Sequence, residues 1–269
     1  MPEGRQTDVQ PFPESSHKTP RVSVVTVALN AESWLEQAIQ SVLDQTWPDL
    51  EYIVVDGGST DGTLNIINTY RKNIDHVISE KDEGIADAMN KGLSLATGEF
   101  VIFLQADDYF KEEGSLAAAM DRAKETTDII ACQIEFGQQR QACKPRTFNF
   151  WTNFKGIPHQ GTLCRRSLLR MLNGFDKQFD ICMDYDFFLR AYRAGAKLVR
   201  SPAVLTVMRD IGVSSRRDWP SLKCRFTEEK KVQWKNCPSW RMKMIYQLYW
   251  ALYLPYRRVV SAMQKTADD

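Results

Sequence analysis

Histidine is scarce in this chain, with three residues in 269, and the six cysteines contain no C-x-x-C pair. His17, His76 and His159 stand far apart, and Cys132, Cys143, Cys164, Cys182, Cys224 and Cys237 follow no short regular spacing. A zinc site built from His and Cys ligands cannot be written from these positions. No run approaches the roughly 18 apolar residues that a membrane-spanning helix needs. Residues 1–20 are polar and proline-rich and lack the apolar stretch of a secretory signal. The expectation is a cytoplasmic protein with reduced thiols and a flexible N-terminal arm over residues 1–20. Neither G-x-G-x-x-G nor the G-K-[ST] of a P-loop occurs, so the Rossmann dinucleotide and Walker-type phosphate cradles are excluded.

Charge of a single sign is also missing from the total, which is 35 Lys and Arg against 34 Asp and Glu, a net of +1. That balance argues against binding nucleic acid along the whole chain. It conceals an asymmetry: residues 211–269 carry a net of +7, and residues 1–210 a net of −6. With 43% hydrophobic and 26% charged residues, the chain has the composition of a globular protein.

What is present is an alternation. Val22 to Ala28 is β-branched and nearly continuous, as in a strand buried on both faces. Leu35, Ala38, Ile39, Val42 and Leu43 recur at helical spacing, which predicts an amphipathic helix over 32–46. Further strands are expected at Tyr52 to Val55, His76 to Ser79 and Phe100 to Leu104, with helices near 64–70 and 84–96 between them. Strand–helix alternation of this kind implies an α/β layer fold with a mainly parallel central sheet flanked by helices. Right-handed crossovers then bring the strand ends carrying Asn30, Asp56 and Asp107 to one edge, where open α/β sheets bind ligands. Past Tyr109 the signals are a helix near 112–125, a strand from Asp128 to Gln133, a helix near 184–194 and a strand from Ala203 to Met208. Residues 136–161 read as irregular, and the segment from Trp219 as helical with breaks at Pro238 and Pro255.

Three clusters carry chemistry. The turn Asp56-Gly-Gly-Ser-Thr-Asp-Gly62 either lets the backbone approach a ligand closely or is a tight turn with Thr60 or Asp61 as a helix cap. Gln105-Ala-Asp-Asp108 follows an apolar strand, and its adjacent carboxylates need a cation or donors unless they cap the next helix. In Asp184-Tyr-Asp-Phe-Phe-Leu-Arg190, Asp184 sits at a helix start with its carboxylate free to point outward. Arg190 lies four residues after Asp186 and can pair with it.

In order along the chain, these motifs resemble family 2 glycosyltransferases of the GT-A fold, the kind that builds bacterial polysaccharides and glycolipids. The resemblance runs from about 22 to 208, through Val24-Val-Thr-Val-Ala-Leu-Asn30 with Glu32, Val54-Val-Asp-Gly-Gly-Ser-Thr-Asp-Gly-Thr63 and Asp82-Glu-Gly-Ile-Ala-Asp-Ala-Met-Asn-Lys-Gly92. It continues through Ala96-Thr-Gly-Glu99, Phe103-Leu-Gln-Ala-Asp-Asp108, His159-Gln-Gly161 and Asp184 to Arg190. It implies a GT-A-like catalytic domain over 21–210, with 21–108 the nucleotide-sugar half and 109–210 the acceptor half, followed by a basic, aromatic helical tail over 211–269. It implies an inverting transfer from a nucleotide-sugar donor, most commonly a UDP-sugar, to a hydroxyl of a saccharide or lipid-linked acceptor. Thr26, Val27, Ala28, Asn30 and Glu32 would line the nucleotide, Asp56 would meet the base, and Gly58 and Ser59 would belong to the donor site. Asp82, Gly84, Asp87 and Asn90 would shape the pyrophosphate and sugar pocket. Gln105 and Ala106 would complete the donor site, and Asp107 would ligate a divalent cation, Mn²⁺ or Mg²⁺, bound with the donor diphosphate. Asp184 falls on the catalytic base, and His159, Gln160, Asp186 and Arg190 would contact the acceptor or support the site. One departure stands out: Gln105 replaces the first acid of the family's D-x-D, so an amide takes that place.

Two rival functions weigh against this one. A sugar nucleotidyltransferase would share the layer architecture, but the glycine-rich, lysine-bearing N-terminal loop for a triphosphate is missing. A non-catalytic nucleotide-sugar-binding module would account for Gln105. The tail, with Trp234, Trp240, Trp250, Tyr249 and Tyr253 among Lys230, Lys231, Lys235, Arg241, Lys243, Arg257 and Arg258, suits either a helix lying on anionic lipid or one packed on the core.

Overall fold

The computed structural model describes residues 19–212, 215–216 and 218–268. Of the expected N-terminal arm, residues 1–18 lie outside this range. The first half repeats strand and helix: β1 Val22–Ala28, α1 Leu35–Leu43, β2 Leu50–Asp56, α2 Thr63–Thr69, β3 His76–Ser79, α3 Ile85–Leu95 and β4 Phe100–Gln105. The remainder is β5 Tyr109–Phe110, α4 Ser115–Met120, β6 Ile129–Phe136, β7 Gln141–Cys143, β8 Thr162–Arg165, α5 Arg166–Met171, α6 Met183–Arg193 and β9 Leu198–Met208. Two helices follow, α7 Trp219–Lys235 and α8 Trp240–Asp268.

One sheet takes the order β3-β2-β1-β4-β8-β6-β9-β5, with β7 paired to β6. It is parallel from β3 through β4 and between β6 and β9, and antiparallel where β8, β5 and β7 join. Every residue of β1 is buried, because its alternating side chains enter two separate cores. Val22 and Val24 meet α1 residues Leu35, Ile39 and Val42 on one face. Val25 and Val27 meet Met89 and Leu93 of α3 and Phe187 and Phe188 of α6 on the other. Covering both faces is what parallel strands with helical crossovers require.

Several elements depart from their expected form. The helix expected near 112–125 is only α4, because Ala123 turns back to Met120 and Thr127 to Lys124 in tight i→i+3 bonds. β9 begins at Leu198 rather than Ala203, since Pro202 falls in a shift of register against β6 and no regular ladder bond is demanded of it there. The stretch read as irregular holds the three-residue β7 and leads into the four-residue β8, both too short to show periodicity. The chain breaks between α7 and α8 at Pro238, but α8 runs through Pro255. Trp250 and Tyr253, one turn before it, are pinned on Phe226, and this packing holds the helix across the missing N–H.

Candidate active site

The carboxyl ends of β1, β2 and β4 lie side by side because the strands pair in register, Ala28 opposite Asp56 and Val27 opposite Gln105. The strand order reverses at β1, with β2 and β3 to one side and β4 to the other, and this is where an open α/β sheet leaves a crevice. A cavity of about 880 Å³ occupies it.

Its rim is built by two loops bonded to each other. Asn30, in the left-handed region at φ 49°, donates its N–H to Ser59 Oγ at 2.8 Å and accepts from Thr60 N–H at 2.9 Å. Glu32 accepts from Gly62 N–H at 2.7 Å, and Asp61 accepts from Glu32 N–H at 3.1 Å. Asp56 is fully buried, its carboxylate taken up by the N–H groups of Gly58 and Ser59 and by the Ser79 hydroxyl. Gly57 has a steric reason to be glycine: a Cβ there would sit 2.2 Å from Asp82 Oδ2. Asp82 can therefore lie against the turn and accept from Gly84 N–H at 3.0 Å.

Of the residues singled out from sequence, Val27, Ala28, Asn30, Asp82, Gly84, Gln105, Ala106, Asp107, His159, Gln160 and Asp184 share the cavity wall. The others stand behind it. Thr26 is buried, with the Tyr52 hydroxyl bonded to its own at 3.2 Å. Glu32, Asp56, Gly58 and Ser59 hold the rim together, as described. Asp87 turns to Lys91 and Lys177 and accepts from Glu83 N–H. Asn90 spends both ends of its amide on the backbone of Phe175, at 2.7 and 2.9 Å. Asp186 and Arg190 do pair, at 2.7 Å, but the aspartate is fully buried and the arginine donates to the carbonyls of Leu172 and Gly174. They brace α6 and do not face the cavity.

Asp107 and Asp108 cap no helix, since β5 follows them directly. Burial pushes the Asp107 carboxyl above its usual range, against the opposing charges of Arg209 and His159. Burial and the adjacent Asp107 charge push Asp108 much further up; its oxygen accepts from Arg209 N–H at 3.1 Å. Arg209 locks this turn: its guanidinium donates to the Asp107 carbonyl and to Gln37 Oε1, and lies over the rings of Trp34 and Tyr109. Across the cavity, Asp184 accepts from Tyr185 N–H at 2.6 Å, and its other oxygen lies 3.6 Å from His159 Nδ1. His159 Nε2 is 3.2 Å from Gln105 Nε2.

The family model for glycosyl transferase family 2 matches residues 23–198. A PGL/p-HBAD biosynthesis glycosyltransferase of Mycobacterium bovis is 31% identical over 218 residues, covering 76% of this chain and 79% of its own. The chain belongs to glycosyl transferase family 2. Two solved structures share the fold of this glycosyltransferase. S. aureus TarS 1–349 in complex with UDP-GlcNAc matches at TM-score 0.60 and 22% identity, over 71% of this chain. The mannosyltransferase PcManGT from Pyrobaculum calidifontis, in complex with GDP-Man and Mn²⁺, matches at TM-score 0.60 and 21% identity, over 97% of this chain and 88% of that one. The chain spans 59% of the length of TarS 1–349.

Beyond the motifs, the transferase's cavity is walled by residues that the sequence reading passed over. Trp34 comes from the loop before α1; Arg146, Phe154 and Ile157 come from the irregular stretch; Met208 ends β9, and Ile211 and Arg216 follow it; Arg225 and Glu229 come from α7. One signal was available for the last of these. Glu228 and Glu229 are the only acids between Asp218 and Asp268, an anomaly in so basic a tail. Glu228 accepts from the N–H groups of Asp180, Ile181 and Cys182 at 2.9–3.2 Å. It thus caps, from another helix, the start of α6 on which Asp184 sits.

Proposed function

We propose that this glycosyltransferase is inverting, with a nucleotide-sugar donor seated at the carboxyl ends of β1, β2 and β4 and Asp184 as the base that deprotonates an acceptor hydroxyl. The observation carrying this reading is the position of Asp184. Its carboxylate is 25% exposed, stands in the first turn of α6 and borders the same cavity as Asp82 and Asp107. The acceptor oxygen, giving its proton to Asp184, attacks the anomeric carbon from the face opposite the nucleotide diphosphate. The breaking C–O bond leaves its electron pair on the diphosphate, and the configuration inverts. General-base assistance of this kind contributes about 10²–10⁴-fold.

Asp107 suits a divalent cation that arrives with the donor. Its carboxylate is partly buried, no ion-pair partner stands at contact distance among the described residues, and burial penalises its charge. Among the described residues no group of three or more His, Cys, Asp or Glu forms a ready metal cage. A carboxylate completed by phosphate oxygens is a common way of holding Mg²⁺ or Mn²⁺. Such a cation would stabilise the charge developing on the leaving diphosphate. Nucleotide-sugar use is supported by the UDP-GlcNAc and GDP-Man complexes of the two fold neighbours, and UDP is the favoured nucleotide. The mycobacterial relative's name supports an acceptor in surface glycolipid or glycan assembly. The lipid-linked form of such an acceptor agrees with α8, whose outer face is apolar and basic, and with work at the cytoplasmic face of a membrane.

Calorimetric titration with UDP-, GDP- and dTDP-sugars, with and without Mn²⁺, identifies the donor, and a donor-hydrolysis assay then reports turnover. Asp184→Asn is expected to bind donor within about twofold of wild type and to lose transfer by at least 10²-fold. Near-normal turnover in that variant would remove Asp184 from the role of base. Binding without turnover on any acceptor would favour the non-catalytic module.

A further inference from the structure

The cavity contains a second carboxyl, and it does not come from the catalytic motifs. Glu229 reaches the wall from α7 with its side chain 21% exposed, 3.5 Å from Arg225 Nε on the same helix. From α8, Arg257 and Tyr249 face it. From α6 and the residue before it, Asp184, Tyr185 and Cys182 face it. The charged groups acting on Asp107 are different, namely Arg209 and His159. Glu229 therefore belongs to the part of the cavity lined by α6 and α7, with Asp184 on its border. The donor-side groups leave the ends of β1 and β4.

We propose that Glu229 is an acceptor-binding residue, which with Asp184 brackets a polyhydroxylated acceptor so that one hydroxyl faces the base and a neighbouring oxygen meets the Glu229 carboxyl. This rests on the reading of Asp184 as the base. Burial, joined by the Asp184 charge and opposed by Arg225 and Arg257, pushes Glu229 up to about 7. Raised in this way, the Glu229 carboxyl keeps its proton to higher pH than an ordinary carboxyl. A protonated carboxyl both donates and accepts a hydrogen bond, the pattern a sugar hydroxyl needs. In the transfer the acceptor proton goes to Asp184, and Glu229 keeps its own proton, shared with an acceptor oxygen. The tail thereby supplies half of the acceptor site, although none of the motifs points to it.

The test uses the full chain saturated with UDP and Mn²⁺ and probed by saturation-transfer NMR with methyl glycosides of glucose, mannose, galactose and rhamnose. The glycoside bound best by wild type should bind at least tenfold more weakly to Glu229→Ala. Glu229→Gln, whose amide also donates and accepts, should recover most of that loss. Wild-type affinity should fall as pH rises through about 7, while Glu229→Gln stays flat. UDP affinity, within twofold in all three proteins, verifies folding and donor binding. Equal glycoside affinity in wild type and Glu229→Ala, no rescue by Gln, parallel pH profiles, or no glycoside bound by wild type would each overturn the proposal. Failure here with Asp184→Asn still inactive would leave the base assignment standing; an active Asp184→Asn would remove the base regardless of Glu229.

Discussion

Gln105, His159 and Asp184 line up across the cavity. Gln105 Nε2 lies 3.2 Å from His159 Nε2 on one side of the ring. On the other side, His159 Nδ1 lies 3.6 Å from Asp184 Oδ2. That gap is longer than a hydrogen bond, as catalytic contacts often are before substrate closes a site. Gln105, which looked like a loss from a metal-binding pair, thus stands against the ring that faces Asp184. The expectation is that His159 positions Asp184. His159→Ala is expected to lower kcat by about 10²-fold, the scale of a misplaced reacting group, with donor affinity within threefold. Steady-state kinetics beside a donor titration reads both; a loss confined to donor affinity would contradict the role. His159 and Asp184 were both legible as residues. Their coupling was not, because 24 positions and the turn leading into β8 separate them.

The start of α6 shows how one element places another's chemistry. Its N-cap residue is Cys182, with no side-chain cap of its own, which leaves N–H groups that the first turn cannot bond. Glu228, on α7, accepts from the N–H groups of Asp180, Ile181 and Cys182, the residues that lead into the helix, and its negative charge lies near the helix N-terminus, where it is favoured. Asp184 is two residues into the same turn. Glu228→Ala removes the shared acceptor and is expected to destabilise the fold by about 1–3 kcal/mol, the range for leaving part-buried donors unpaired. It should also lower kcat more than it raises donor KM. Urea unfolding measures the first effect and initial rates the second; unchanged stability would mean that water replaces the carboxylate. Gln233 and Tyr185 tie the same helices together, Trp250 Nε1 donating to Gln233 Oε1 at 2.5 Å and Gln233 Nε2 to the Tyr185 hydroxyl at 3.3 Å. Such cross-helix partners leave no local pattern in a sequence.

At the scale of the molecule, α8 packs one face on the rest of the chain and leaves the other exposed. Tyr246 and Met242 pack with Phe154, and Trp250, Tyr249 and Tyr253 pack with Leu222 and Phe226. Met244, Ile245, Leu248, Leu252, Tyr256, Val259 and Met263 recur at steps of one to four residues and are exposed. No acidic residue stands between Lys230 and Ala267. Among the described residues no helix is long and apolar enough to cross a membrane, but a helix of this composition can lie in a headgroup layer. The full chain is expected to sediment with anionic phosphatidylglycerol vesicles at low salt and to be released as salt rises. Leu248→Glu combined with Leu252→Glu should weaken that partition at least tenfold while leaving the thermal midpoint within a few degrees. Equal sedimentation of variant and wild type would show that the outer face does not meet lipid. Removing 219–269 altogether would be a poor test, because it would also strip Glu228 from α6 and Glu229 from the cavity.

By itself the sequence determined the strands β1 to β4, the helices between them and the polar residues at their ends. Burial on both faces, helical periodicity and glycine-rich turns are local signals, and right-handed crossovers leave the strand ends little choice of edge. It also determined the identity of Asp107 and Asp184 as candidates, through motifs whose order along the chain is more telling than any one of them. Tertiary structure decided which candidates face the cavity, turning Asn90, Asp87, Asp186 and Arg190 to backbone or ion-pair partners. It also brought α7, separated from the end of α6 by 25 residues, back against it, so that Glu228 lies under the helix start and Glu229 lines the same cavity as Asp184. The reason is physical. Contacts between helices depend on which residues of each face come together when both cores fill, and a linear pattern records the face but not its partner.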